Sequence, residues 1–127
     1  MKLRIKGDSL RLRVSRSELA RLLGGERVED TVHFAPIPDA RLTYALESAS
    51  QADPVRIQYE PQNVTVFLSE EQAEFWAKDS EVGIYTSINI GPARSLEIIV
   101  EKDFACLDRS EEENADTFVN PLVGATC

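Results

Sequence analysis

The chain has 127 residues, enough for one domain with a core of its own, and its 43% hydrophobic and 28% charged residues are ordinary for a folded globular protein. No apolar run approaches the roughly 20 residues that span a bilayer, and the alternating start MKLRIKGDSLRLRV has no secretory apolar region, so a cytoplasmic protein with reduced Cys106 and Cys127 is expected. The net charge of −8 disfavours bulk nucleic-acid binding, but residues 1–58 carry ten Lys/Arg against eight Asp/Glu while residues 59–127 carry four against fourteen, which leaves room for a basic patch near the N-terminus.

In chain order, KLRIK (2–6) and LRLRV (10–14) alternate strictly around Gly7, Asp8 and Ser9, a hairpin signal. SRSELARLL follows, with Ser15 and Glu18 spaced as a capping box and Leu19, Leu22 and Leu23 on one helical face. Gly24 and Gly25 end that helix. RVEDTVHF (27–34) and RLTYALES (41–48) read as strands joined through Pro36 and Pro38. The order then recurs. VRIQYE (55–60) and VTVFLS (64–69) form a hairpin, SEEQAEFWAK a helix with Ser69 as N-cap, and EVGIYTSINI (81–90) and SLEIIVEK (95–102) two more strands.

The two halves superpose without a gap at an offset of 54, placing Ser15 on Ser69, Glu18 on Gln72, Val28 on Val82, Pro38 on Pro92 and Glu47 on Glu101. The expected fold is therefore α+β, with about eight mostly antiparallel strands and two helices, as ββαββ duplicated. Eight strands can close into a barrel or tunnel, pack as two sheets, or form one curved sheet. The domain is expected to cover 1–108, with half-repeats 2–48 and 56–102. Residues 109–127 are expected to be an acidic linker and a C-terminal tail that docks on the body or on a neighbouring subunit, or stays disordered. Leu19, Leu22 and Leu23 of the first helix align with Ala73, Trp76 and Ala77 of the second, which makes Trp76 a core residue.

Side chains alternate across a strand, so Lys2, Arg4, Lys6, Arg11 and Arg13 are expected on one face of the first hairpin. Five cations there repel one another unless anions lie between them. Glu47, Glu97 and Glu101, on the corresponding face of the fourth and eighth strands, are the candidates, and Arg41 is a further cation for the same ligand. Two readings of this face follow: a solvated outer surface, or a lining that binds a phosphorylated or other polyanionic ligand through arginine. The sole histidine, His33, lies opposite Val32 and Phe34 and reads as a surface residue. Glu101, Asp103 and Asp108 around Cys106 work against a reactive thiolate, so Cys106 reads as a packing residue. There is no Gly-rich phosphate loop, no CxxC and no HExxH. On the reading as a binding domain, no cofactor, metal or catalytic residue is implied.

Eight antiparallel strands in two related halves resemble the triphosphate tunnel enzymes, whose first strand carries Glu-x-Glu-x-Lys for metal and phosphate. Here KLRIK puts Lys2 and Arg4 in place of the glutamates, so metal-dependent triphosphate hydrolysis is not implied. VEKDFACL, with the opening MKLRIKGDSLRLRVSRSE and a closing Phe118-x-Asn120-Pro121, resembles a small family of uncharacterised bacterial proteins. That resemblance implies a bacterial, cytosolic, single-domain protein and transfers no catalytic residue. The expectation is thus a non-enzymatic domain binding an anionic small molecule or a protein partner, as monomer or homodimer, without membrane or nucleic acid. The alternatives are a tunnel enzyme acting on a phosphorylated small molecule, holding phosphates with Arg4, Arg11, Arg13 and Arg41 and a metal with the glutamates, and an interaction module using the acidic tail.

Overall fold

The computed structural model describes residues 1–105 and 115–119. Cys106, Cys127 and most of the acidic linker and tail lie outside the described residues. Ten elements follow in order: β1 (Lys2–Ile5), β2 (Ser9–Val14), α1 (Arg16–Leu23), β3 (Val28–His33), β4 (Arg41–Ala49), β5 (Val55–Glu60), β6 (Asn63–Ser69), α2 (Glu70–Ala77), β7 (Gly83–Gly91) and β8 (Arg94–Lys102). Among the described residues the eight strands form two mixed four-stranded sheets, ordered β1-β2-β8-β7 and β3-β4-β6-β5, with no closed barrel.

Neither sheet is built from one half of the chain. The hairpin β1–β2 pairs through β2 with β8, and β3–β4 pairs through β4 with β6; both of these junctions are parallel. The halves are therefore interleaved rather than stacked as two self-contained units. Two registers repeat at the expected offset. Lys2 faces Arg13 as Arg56 faces Phe67 (2 + 54, 13 + 54), and Leu10 faces Ile98 as Val64 faces Tyr44 (10 + 54, 98 − 54).

The last hairpin departs from the gapless alignment. Val28 faces Leu46, but Val100, at 46 + 54, faces Ile84 rather than Val82. Ile84 is the buried residue and Val82 is 41% exposed. The cause lies in the turns. Seven residues, 34–40, join β3 to β4, whereas two, Pro92 and Ala93, join β7 to β8, with Ala93 at φ 56°. The tighter turn slides β7 by two residues, an even step that keeps the same side chains facing the core.

The core lies between the sheets and the two helices. Leu12, Val14, Ile98 and Val100 from one sheet meet Leu46, Val66 and Leu68 from the other, with Leu22 and Trp76 fully buried. Trp76 satisfies its indole N–H on the Val82 carbonyl at 3.2 Å. Each helix starts as its sequence demands. Ser15 Oγ accepts from Glu18 N while Glu18 Oε1 accepts from Ser15 N, a complete capping box. Ser69 Oγ accepts from Gln72 N at 3.0 Å. Among the described residues no helix is long and apolar enough to cross a membrane.

Residues 115–117, expected at the end of a linker, are held against α1. Asp116 O accepts from Arg16 N at 3.2 Å, and its carboxylate accepts from both Ser17 N and Ser17 Oγ. Phe118 then pairs with Phe104 in an isolated parallel bridge, with their rings edge-on at 6.0 Å.

Candidate functional site

Alternation along β1 and β2 puts Lys2, Arg4, Arg11 and Arg13 on the outer face of the first sheet. The register sets Lys2 opposite Arg13 and Arg4 opposite Arg11. Lys6 follows in the exposed turn, where Lys6 N donates to Ser9 O. Because β8 runs parallel to β2, Glu97 stands beside Ser9 and Glu101 beside Arg13 on that same face. Seven of the nine residues read from the sequence are thus brought together. The other two are not: Arg41 and Glu47 lie on β4, in the second sheet, because the fourth and eighth strands do not share a sheet. An arginine clamp that combines Arg41 with Arg4, Arg11 and Arg13 is therefore not assembled.

The seven divide by charge pairing. Glu101 sits between Arg11 and Arg13, with each guanidinium Nε 3.3 Å from Oε1, and accepts from Tyr85 Oη at 3.1 Å. Burial, and then the Glu101 charge, push the Tyr85 hydroxyl pKa up, so it remains a neutral donor. Lys2 Nζ pairs with Asp103 Oδ2 at 2.9 Å. Arg4 and Lys6 have no carboxylate within ion-pair distance among the described residues, and Glu97 has no cation within that distance among them. With Ser9 and Arg11, Arg4 and Lys6 line a shallow recess of about 230 Å³ at the sheet edge.

Two residues with structural weight escaped the sequence reading. Arg27, just before β3, gives Nε to Glu29 at 2.8 Å, Nη1 to Glu47 at 2.7 Å and to Thr65 Oγ1, and Nη2 to Asn63 Oδ1. It therefore uses up Glu47, and the signal for this lies only in the β3–β4 pairing. Lys102 continues the inward phase of Leu96, Ile98 and Val100 and is 4% exposed, a cation at an apolar position of an alternating strand. That phase was legible in the sequence. Its ammonium donates to the Lys78 carbonyl at 2.7 Å and lies over the Phe118 ring at 5.4 Å. Burial lowers its pKa, with Asp79 and Glu81 acting weakly the other way.

A model of a family of unknown function, DUF7009, matches residues 1–122. The chain belongs to this family. Searches of the curated proteins and of the solved structures gave no match. The DUF7009 match spans the residues of both sheets, both helices and the Phe104–Phe118 contact.

Proposed function

We propose that this DUF7009 domain is a non-enzymatic ligand-binding domain that holds an anionic group, phosphate or polyphosphate, on the outer face of the β1–β2 hairpin. Arg4, Lys6 and Arg11 supply the charge and Ser9 a hydroxyl. The observation that carries this is selective pairing. Lys2, Arg11 and Arg13 have carboxylates within ion-pair distance, while Arg4 and Lys6, next to them, have none among the described residues. Uncompensated neighbouring cations cost stability unless an anion joins them. Arg11 can also turn to a ligand while Glu101 keeps Arg13 and Tyr85.

The finer reading takes the halves as a duplicated unit, supported by the two registers that repeat at 54. On that reading Arg4, Lys6, Ser9 and Arg11 correspond to Gln58, Glu60, Asn63 and Thr65. The second hairpin has lost or never had the cations, which makes anion binding a property of the first.

The test is a thermal-shift titration of the full chain with pyrophosphate and tripolyphosphate. A ligand at a hundred times its Kd adds about 2.7 kcal/mol to the native state, a shift of several degrees for a domain of this size. The shift should vanish in the Arg4→Ala/Lys6→Ala variant and survive in Lys78→Ala, which removes a distant surface cation. A shift that survives loss of Arg4 and Lys6, or no shift in the parent chain, refutes the proposal.

A further inference from the structure

An apolar concavity lies between α1, the end of α2 and the segment around Phe118. It has a volume of about 520 Å³, within the roughly 300–1,000 Å³ of small-molecule sites. Its walls include Leu19, Leu23, Ala77, Phe104 and Phe118, and Lys102 lies in its floor. The Lys102 ammonium is buried with no carboxylate within ion-pair distance among the described residues. One of its protons goes to the Lys78 carbonyl and one side of it to the Phe118 ring. An ammonium has three donors, so a donor is left for an acceptor arriving from the cleft. Buried lysines are ordinarily paired. Arg16 and Asp79 also line the cleft, and the Asp79 and Glu81 carboxylates act on the Lys102 charge from beyond ion-pair distance.

We infer that this cleft is a second binding site, for an amphipathic acid whose apolar body packs on Leu19, Leu23 and Ala77 and whose carboxylate meets Lys102. The site is separate from the hairpin recess: it opens on the helices, shares no residue with Arg4, Lys6, Ser9 or Arg11, and selects an apolar body that the recess has no walls to hold. The anion supplies the direct contact with a carboxylate that Lys102 does not have among the described residues, in a setting where a charge-assisted hydrogen bond is stronger than in water.

The test compares decanoate with decanol by calorimetric titration into the full chain. The two probes share an apolar body and differ in charge. Decanoate should bind about tenfold more tightly or better, as expected for a hydrogen bond to a charged group. Lys102→Met should erase that preference and leave decanol binding in place. Leu23→Asp, at a half-exposed position that does not threaten folding, should weaken both probes and serves if Lys102→Met does not fold. Raising the pH through the Lys102 titration should weaken decanoate and leave decanol unchanged. Equal affinities, no binding of either probe, a preference that survives Lys102→Met, or decanoate binding untouched by Leu23→Asp would each overturn the assignment. So would decanoate binding that is lost in the Arg4→Ala/Lys6→Ala variant, which separates this site from the hairpin recess.

Discussion

Glu101 is a single carboxylate serving two guanidiniums and a phenol, and it decides how much positive charge the hairpin presents. Partly exposed ion pairs contribute at most about 1 kcal/mol each. Glu101→Gln should therefore lower stability only slightly, by about 1 kcal/mol in chemical denaturation. It should also tighten pyrophosphate binding, because it frees Arg11. Weaker binding in this variant would mean that Glu101 orients the arginines rather than competing for them. Gly83 makes the arrangement fit. A Cβ there would lie 2.9 Å from the Val100 carbonyl oxygen and 3.2 Å from the Tyr85 hydroxyl. Gly83→Ala should cost about 1–3 kcal/mol through overpacking and break the Tyr85–Glu101 hydrogen bond, visible as a shifted tyrosine absorbance titration. At this scale the sequence was partly legible. Strand alternation put the hairpin cations on one face, and the inward phase of Lys102 was open to reading. That Glu101 and not Glu47 serves the hairpin could not be read, since it depends on which strand lies beside β2.

The helices show which features are written locally. The Ser15–Glu18 spacing is sufficient to specify the capping box, because both partners lie within one turn of backbone. Ser15→Ala should cost about 1 kcal/mol, measured as a lowered denaturation midpoint at unchanged slope. The same helix start carries the pH response. Burial works against the Glu18 carboxylate, but the Met1 amine and Ser15 hydrogen bonds outweigh it and hold its pKa below the ordinary value of 4.5. The Ser17 hydroxyl and backbone hold Asp116 below 3.8. A depressed carboxyl contributes stability that is present above its unfolded value and is lost as pH falls through its folded one. Melting temperature should drop between about pH 5 and pH 2, and the drop should be shallower in Glu18→Gln/Asp116→Asn. An equally steep drop in that double variant would place the acid sensitivity elsewhere. Asp116 marks the limit of local reading. RSEEENADT has no apolar period, so nothing near Asp116 in sequence announces that its carboxylate caps a helix 99 residues earlier.

At the scale of the molecule, the element order was legible and the partnership of elements was not. Alternation and turn residues reveal a strand wherever it pairs, but the parallel β2–β8 and β4–β6 junctions join segments far apart in the chain. They are selected by burial of the whole inner face rather than by neighbouring residues. The interleaving has a direct consequence. Residues 1–52 hold β1–β2 of one sheet and β3–β4 of the other, and residues 53–127 hold the complementary pair for each. Either half alone leaves two two-stranded hairpins, which are marginal in water, and exposes the core faces of Leu12, Leu46 and Trp76. Cleaving the chain in the exposed connection at 52–53 and separating the pieces should give two largely unfolded fragments. Mixing them in equal amounts should restore a 1:1 complex with the far-ultraviolet and tryptophan spectra of the intact chain. A compact two-fold dimer of the first fragment alone would retain the interleaving and favour duplication, since β4 of one copy would then stand where β8 stands in the native sheet. A fragment that folds as a monomer would refute the interleaved core, because such a fragment would bury its inner faces without the strands that the other half supplies.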